Sequence, residues 1–228
     1  MVLKIWHRWA CGYAPENTLK SFKKAIELWV DMIEFDIHVC KSWEIVVIHD
    51  WTVDRTTNWT GWIWELTLTE LMELDAGEWE KIPLLQEVLN LVLPYCKVNI
   101  EIAGDHLVKP LVKFLNEYLS NHKCDINSII VSSFRHHDLL KFHKKIPWIK
   151  ISMLIWHLPY EKDYFKNKKW IYSVNLDSSF ISKKFIKKSH KNWLKVFSYT
   201  ANDYHTISHL QSIWIDGIFS NFPDRIKK

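Results

Sequence analysis

The chain has 228 residues, of which 48% are apolar and 25% charged, and its formal net charge is +4. This balance is typical of a globular chain with a sizeable core, and it excludes a disordered or collagenous protein and a small disulfide scaffold. The net positive charge is slight, and no apolar run reaches the roughly 18 residues of a membrane helix. We therefore expect neither a nucleic-acid partner nor stable membrane insertion.

Glycine and tryptophan are present in unusual proportions. The chain holds 5 glycines and 14 tryptophans, whereas about 16 glycines are average for this length. Turns with a positive φ ordinarily use glycine, because a side chain clashes there. The composition therefore leaves two alternatives: the fold has few tight turns, or tryptophan occupies several turn positions that suit glycine.

The cysteines and the first residues indicate a compartment. Cys11, Cys40, Cys96 and Cys124 lie far apart in the sequence, so we expect free thiols in a reducing environment. Residues 1–7 become polar too soon for a signal peptide and instead predict a strand. Together these features predict a cytoplasmic location.

Strand-like runs alternate with stretches that have helical apolar spacing. The predicted strands are 2–7, 32–39, 45–49, 98–103, 128–132, 149–154, 171–176, 196–200 and 217–220. The predicted helices are 18–28 (capped by Asn17), 84–93, 106–119, 136–145, 160–168, 182–189 and 203–213. With the run 45–49 set aside, eight strands and seven helices predict an α/β fold, a TIM (β/α)₈ barrel that forms a single domain over residues 1–228.

The extra strand has a local explanation. Residues 41–44 suit a two-residue hairpin turn, and pairing Lys41 with Glu44 places His49 opposite Asp36. Opposed residues face the same side of a sheet, and the strand period of two puts Glu34 on that side as well. Residues 51–82 then depart from the alternation and contain a short helical stretch at 68–74. We interpret them as a small insertion after the hairpin.

Polar groups stand on these strands where a buried strand would not normally carry them. They are His7 and Arg8, Glu34 and Asp36, His49 and Asp50, and Glu101. Carboxylates on adjacent strands repel one another without a cation, and oxygen ligands favour Mg²⁺ or Ca²⁺. Histidines suit proton transfer near neutral pH, and an arginine fork suits a phosphate. The pattern therefore indicates metal-assisted displacement at a phosphodiester.

A set of motifs, in order along nearly the whole chain, resembles the glycerophosphodiester phosphodiesterase family. The motifs are His7-Arg8, Pro15-Glu16-Asn17-Thr18, Glu34-Phe35-Asp36-Ile37, Ile48-His49-Asp50, Asp54-Arg55-Thr56-Thr57-Asn58, Asn99-Ile100-Glu101-Ile102, Val131-Ser132-Ser133-Phe134, Thr200-Ala201-Asn202-Asp203 and Ile215-Asp216-Gly217-Ile218. No single motif is specific, but their shared order is.

The resemblance implies both a reaction and the residues that perform it. It implies hydrolysis of glycerophosphodiesters such as glycerophosphocholine to glycerol 3-phosphate and an alcohol, an activity of lipid and glycerol metabolism. The residues it implies are Glu34, Asp36 and Glu101 as ligands of a divalent metal (Mg²⁺ or Ca²⁺), His7 and His49 as the catalytic acid–base pair, and Arg8 on the phosphate. Phe134, Asn175 and Tyr199 are further candidates for substrate contact, with packing as the alternative for the two aromatic residues. The partner is a small molecule, and the enzyme is expected to be a monomer or homodimer.

The chain departs from the family pattern at several positions. Trp9 follows His7-Arg8 where glycine is usual, and Ala103 stands where a lysine is usual. Tryptophan also occupies usual glycine positions at 29, 43, 59, 193 and 214. These departures leave open a catalytically impaired or binding-only variant of the same scaffold. A third alternative is a lyase that stops at a cyclic phosphate.

Overall fold

The computed structural model describes residues 1–7, 13–157 and 169–227. Eight parallel strands close into a barrel, because β1 pairs with both β2 and β9. The strands are β1 (Leu3–His7), β2 (Met32–Val39), β4 (Lys97–Ile102), β5 (Ile129–Ser133), β6 (Lys150–Ile155), β7 (Ile171–Asp177), β8 (Lys195–Tyr199) and β9 (Gly217–Ser220), with β3 (Ile45–Val47) antiparallel to β2. The predicted TIM barrel is confirmed.

Helices lie between the strands. They are α1 (Leu19–Glu27), α2 (Leu68–Glu73), α3 (Leu85–Val92), α4 (Val108–Asn121), α5 (His136–Lys145), α6 (Lys183–Lys191) and α7 (Tyr204–Ser212). Their apolar faces pack on outward strand residues such as Ile33, Phe35 and Ile37, which are fully buried. The predicted helix 160–168 lies outside the described residues. No helix in the described part of the chain is both long and apolar enough to cross a membrane.

The start of α1 differs from the prediction by one residue. Thr18, not Asn17, is the N-cap, and its hydroxyl accepts the Ser21 amide at 3.2 Å. Asn17 instead has φ 52° and is almost fully buried. Both residue types suit an N-cap, and asparagine tolerates the left-handed backbone that the preceding loop requires.

The hairpin between β2 and β3 also differs from the prediction. Cys40 and Glu44 close the loop, and the amide of Trp43 bonds to the carbonyl of Cys40 at 2.9 Å. The loop therefore has three residues, a type I turn followed by a left-handed residue, rather than two. Ile37 consequently pairs with Val47, and the predicted register, which placed His49 opposite Asp36, was wrong by one residue.

The insertion after β3 has a small apolar cluster of its own. It includes a bridge between Thr52 and Trp62, a 3₁₀ turn at Ile63–Glu65, and α2. Thr67 and Glu70 form a capping box that begins α2. Ile63 and Leu71 are fully buried in this cluster, so the insertion packs as a folded layer.

The barrel interior changes character along its axis. Ile5, Met32, Ile130, Phe197 and Phe219 fill one layer with apolar side chains. Inward positions further along the strands are polar and buried; they are Glu34, Asp36, Asn99, Ser132, Ser152, Ser173 and Asn175. The polar layers lie toward the carboxyl ends of the strands, which is the face where TIM barrels place their sites.

Five tryptophans adopt a left-handed backbone, with φ between 52° and 76°. They are Trp29, Trp43, Trp79, Trp193 and Trp214, and each is at least 65% exposed. Four of them were predicted from the sequence, and Trp79 was not. Trp59 lacks a positive φ, and Trp9 lies outside the described residues.

Candidate active site

Three carboxylates meet on β2 and β4. Asp36 pairs with Glu101 in the strand register, and Glu34 precedes Asp36 by one strand period. One oxygen of each carboxylate lies within 4.8 Å of the others; Glu34 and Asp36 are buried and Glu101 is half-buried. Such proximity is costly for three negative charges. The donor set fits a hard divalent cation, which prefers several oxygen ligands.

His7 ends β1 beside this acidic cluster. Its Nε2 lies 3.8 Å from a Glu34 oxygen, and its Nδ1 lies 3.3 Å from both the Asn221 side-chain oxygen and the Thr200 hydroxyl. A proton on Nδ1 would be donated to the Asn221 amide oxygen, which can only accept. Nε2 is then the nitrogen that faces the carboxylates.

His49 reaches the same end of the barrel by a different route. One edge of β2 is taken by β4, so β1 and β3 share the other edge. The Ile48 amide bonds to the Asp36 carbonyl at 3.1 Å, and the chain therefore returns toward the end of β1, where His7 lies. The one-residue shift in register leaves His49 in the loop that follows β3.

A chain of ionic contacts holds the His49 side chain. Its Nδ1 pairs with Asp50, and Asp50 accepts Arg55 Nε at 2.6 Å and Nη2 at 3.0 Å. The same guanidinium binds Glu16 through Nη1 at 2.6 Å and Nη2 at 2.7 Å. These carboxylates, Glu16 first, raise the pKa of Arg55 above its ordinary value.

The main chain of His49 is held by His38, a residue that the sequence analysis did not select. Its Nε2 lies 3.0 Å from the His49 carbonyl oxygen. Burial lowers the pKa of His38 to about 4, so at neutral pH the ring is uncharged and Nε2–H donates this bond. Gly104 packs against the other nitrogen of the His38 ring: a Cβ atom at position 104 would lie 2.8 Å from His38 Nδ1.

Aromatic side chains border the site at three strand ends. Phe134 follows β5 and stacks on Trp156, which follows β6, with ring centroids 4.1 Å apart. Tyr199, at the end of β8, meets Phe134 edge-on and donates its hydroxyl to the Ile155 carbonyl at 2.7 Å. Burial, then the charges of Asp177 and Glu101, raise the pKa of Tyr199.

Asn175 lies deeper in the barrel than the other candidates. It is fully buried, and its side-chain oxygen accepts Ser152 at 2.8 Å and Ser173 at 3.3 Å. Its Nδ2 has no hydrogen-bond partner among the described residues. Asn175 therefore belongs to the polar interior beneath the strand ends.

The structure brings some of the predicted site residues together and leaves others apart. It brings together Glu34, Asp36, Glu101 and His7, and it places Tyr199 against Phe134 at the end of β8. Arg8 lies outside the described residues. Ala103 follows β4 directly and is half-buried, so no long side chain reaches inward from that position.

Sequence reasoning missed His38, Asn221, Thr200 and Trp156 as neighbours of the site. Thr200, Asn221 and Trp156 each follow a barrel strand by one residue, which is a signal that could have found them. His38 lies within β2. Its partner, the His49 carbonyl, comes close only because β3 turns back along β2.

The fold and the site together define a class of protein, a TIM-barrel enzyme whose carboxylates and histidines gather at the carboxyl ends of its strands. A family model for the glycerophosphoryl diester phosphodiesterase family matches residues 7–225. The chain belongs to this family and is a phosphoric diester hydrolase, a glycerophosphodiester phosphodiesterase.

Individual relatives agree with this assignment. The chain is 33% identical to a glycerophosphodiester phosphodiesterase of Caldanaerobacter subterraneus subsp. tengcongensis, over 98% of this chain and 96% of the relative. It is 31% identical to a protein of the same name from Bacillus altitudinis, over 97% of this chain and 95% of the relative. Its structure is similar to that of a phosphodiesterase from Oleispira antarctica in complex with the product sn-glycerol-3-phosphate, with a TM-score of 0.88, 26% identity and coverage of 97% and 94%.

Proposed function

We propose that the chain is a metal-dependent enzyme that hydrolyses glycerophosphodiesters such as glycerophosphocholine, with His7 and His49 as its acid–base pair. The observation that carries the proposal is the meeting of Glu34, Asp36 and Glu101 within 4.8 Å, with His7 Nε2 at 3.8 Å from Glu34. The Oleispira relative, whose described product is sn-glycerol-3-phosphate, supports the glycerol part of the substrate.

Glu34, Asp36 and Glu101 would hold Mg²⁺ or Ca²⁺. The bound cation would offset negative charge on the phosphoryl oxygens. Without it, a phosphodiester anion would be repelled by three nearby carboxylates. Arg8, the residue after His7 in the sequence, would add a second positive group on the phosphate.

The two histidines would move the protons. One imidazole takes the proton of the glycerol 2-hydroxyl while that oxygen attacks phosphorus. The other gives a proton to the head-group oxygen as the phosphorus–oxygen bond to the head group breaks. Water then attacks the cyclic phosphate and gives a proton to the second imidazole. The first imidazole returns its proton to the 2-oxygen as the bond between that oxygen and phosphorus breaks, which yields glycerol 3-phosphate and restores both histidines.

Phe134 and Tyr199 would contact the substrate on the side of the site away from the two histidines, and Asn175 would lie beneath the substrate. The described cysteines, Cys40, Cys96 and Cys124, are free thiols. This is consistent with a cytoplasmic enzyme, and we propose that it acts as a monomer or homodimer.

The decisive experiment measures release of glycerol 3-phosphate from glycerophosphocholine with Mg²⁺, Ca²⁺ or EDTA. We expect turnover with a divalent cation, none with EDTA, and a loss of about 10²–10⁴-fold in His7→Ala. A folded sample that is inactive with both metals would instead support the impaired or binding-only variant. Phosphorus NMR of the product would identify a lyase by its persistent cyclic phosphate.

A further inference from the structure

We propose that Arg55 and Glu16 are positioning residues for His49 and that they act through Asp50. The inference rests on the proposed role of His49 in proton transfer.

The Arg55 guanidinium uses its whole fork. Nε and Nη2 face Asp50, while Nη1 and Nη2 face Glu16, at distances of 2.6 to 3.0 Å. A planar fork with two bonds to each carboxylate allows only one orientation of both. Asp50 can therefore pair with His49 Nδ1 from one direction only.

Glu16 anchors the other end of the fork. Its side chain is 6% exposed, whereas that of Arg55 is 41% exposed. A buried carboxylate needs a partner, and here the partner comes from the insertion, while Glu16 comes from the segment between β1 and α1. The contact thus fixes the loop that carries His49 against the segment that follows His7.

The contact with Asp50 determines which nitrogen of the His49 imidazole can transfer a proton. When Nδ1–H is held by Asp50, Nε2 is the nitrogen that exchanges a proton with substrate, and its direction is set by the same contact. Loss of the Arg55 contacts with Asp50 and Glu16 should leave substrate binding largely intact. It should reduce the rate of proton transfer, because a small displacement of the His49 imidazole lowers the reaction rate strongly.

The test compares Arg55→Lys and Glu16→Gln with the wild-type enzyme in metal-saturated assays on glycerophosphocholine. We expect kcat to fall roughly 10–100-fold while KM changes by less than about threefold. Arg135→Lys is the matched control, because Arg135 has a side-chain exposure of 40% and also bridges two carboxylates, Asp105 and Asp138. It should leave both constants unchanged.

A second readout needs neither metal nor turnover. In metal-free protein labelled with ¹⁵N-histidine, the Nδ1 proton of His49, assigned by its absence in His49→Gln, should be observed in the wild type and shift or broaden in Arg55→Lys. In the double variant, kcat should be little lower than in His49→Gln alone, because both changes disturb the same proton transfer. A wild-type kcat together with an unchanged His49 signal in Arg55→Lys would overturn the inference. An inactive wild type with a shifted signal would overturn the proposed function alone.

A different observation carries a second inference, about the five left-handed tryptophans. Trp29, Trp193 and Trp214 each stand one residue beyond the C-cap of α1, α6 or α7. In each case the tryptophan amide bonds to the carbonyl three residues earlier, and the next amide bonds to the carbonyl five residues earlier, which is the paired pattern of a Schellman motif. The pairs are Trp29 to Ile26 with Val30 to Ala25, Trp193 to His190 with Leu194 to Ser189, and Trp214 to Gln211 with Ile215 to Leu210. Glycine is the usual residue at this position.

Trp43 occupies another position of the same kind. It is the left-handed residue that follows the type I turn of the β2–β3 hairpin, with φ 76°, where glycine is again usual. The exposed fractions of Trp29, Trp79 and Trp193 are 84% to 87%. Packing therefore does not explain a large aromatic side chain at these turns.

We infer that glycine is the residue this fold uses at positions 29, 43, 79, 193 and 214, and that the source organism translates the corresponding codons as glycine. UGA differs from the tryptophan codon UGG in one base, and its meaning varies among genetic codes. The five positions should therefore carry UGA in the gene.

Peptide mass spectrometry of the protein from its source organism tests this directly. Glycine at these positions is expected, and tryptophan there would overturn the inference. In recombinant protein, the fivefold Trp→Gly variant should melt roughly 10 °C or more above the protein that has tryptophan at the five positions. The matched control is Trp148→Gly, an exposed turn tryptophan without a positive φ, which should not raise the melting temperature. An equal gain in the control would count against the backbone explanation.

Discussion

The imidazole of His38 donates its Nε2 proton to the main-chain oxygen of His49, with 3.0 Å between the two atoms. A buried, uncharged histidine thus supports the backbone of a candidate catalytic one. Because burial lowers the pKa of His38 to about 4, this support depends on pH.

We predict that His38 makes the metal-free protein less stable in acid. Between pH 6.5 and 4 the unfolded state takes up a proton at His38 and the folded state does not, so the free energy of unfolding falls as pH falls through this window. The contribution is about 3 kcal/mol at most and is complete above the unfolded pKa. Urea unfolding at pH 7 and pH 4.5, compared between wild type and His38→Gln, measures it. Equal pH dependence in both proteins would contradict the prediction.

Removing one charge from the acidic cluster should have opposite effects on the metal-free and metal-bound protein. Asp36→Asn relieves repulsion, so the metal-free protein should melt at a higher temperature. The same change removes a ligand charge and should weaken cation binding by about tenfold or more. Calorimetric titration with Mg²⁺ and Ca²⁺ measures the affinity, and melting curves with and without metal measure the linkage. Glu117→Gln, an exposed carboxylate on α4, is the control and should change neither quantity.

Restoring a long cationic side chain after β4 should raise activity. Ala103 is half-buried and directly follows the strand that carries Glu101. We expect Ala103→Lys to increase kcat on glycerophosphocholine, because a second cation would oppose charge on the phosphate. Ala103→Met separates length from charge and should give no gain. If the two variants behave alike, the missing charge is not what limits the enzyme.

The aromatic border should contribute to substrate binding. Phe134 stacks on Trp156 and contacts Tyr199. We expect Phe134→Ala to raise KM by roughly tenfold, consistent with about 1–1.5 kcal/mol for an aromatic contact, with a smaller change in kcat. Phe114→Ala, which truncates an aromatic residue on α4, serves as the comparison. A KM unchanged by Phe134→Ala would assign that ring to packing alone.

The barrel could be predicted from the sequence because strand and helix periods alternate along most of the chain. The acidic cluster could be predicted too, since Glu34, Asp36 and Glu101 occupy inward positions of neighbouring strands. The hairpin register could not, because a three-residue loop and a two-residue loop both suit residues 40–44, and the choice shifts every later pair by one. The capping residue of α1 was ambiguous for a similar reason, as Asn17 and Thr18 are both good N-caps.

The contacts around His49 depend on structure that local patterns do not show. Glu16 and Arg55 are 39 residues apart, and their pairing requires the insertion to fold back over the segment after β1. His38 meets the His49 carbonyl only because β3 reverses beside β2. Long-range pairings of this kind leave no periodic trace in the sequence.

The left-handed tryptophans also determine how the protein can be followed by fluorescence. Indoles that are 65% to 87% exposed already emit as they would in water, so their signal should change little on unfolding. Trp6 is fully buried in the apolar cluster that also holds Phe22 and Ala25 of α1, and its emission should shift to longer wavelength when the barrel opens. A chain with glycine at the five turns would lose that constant background, and Trp6 would then become a clearer optical probe of folding.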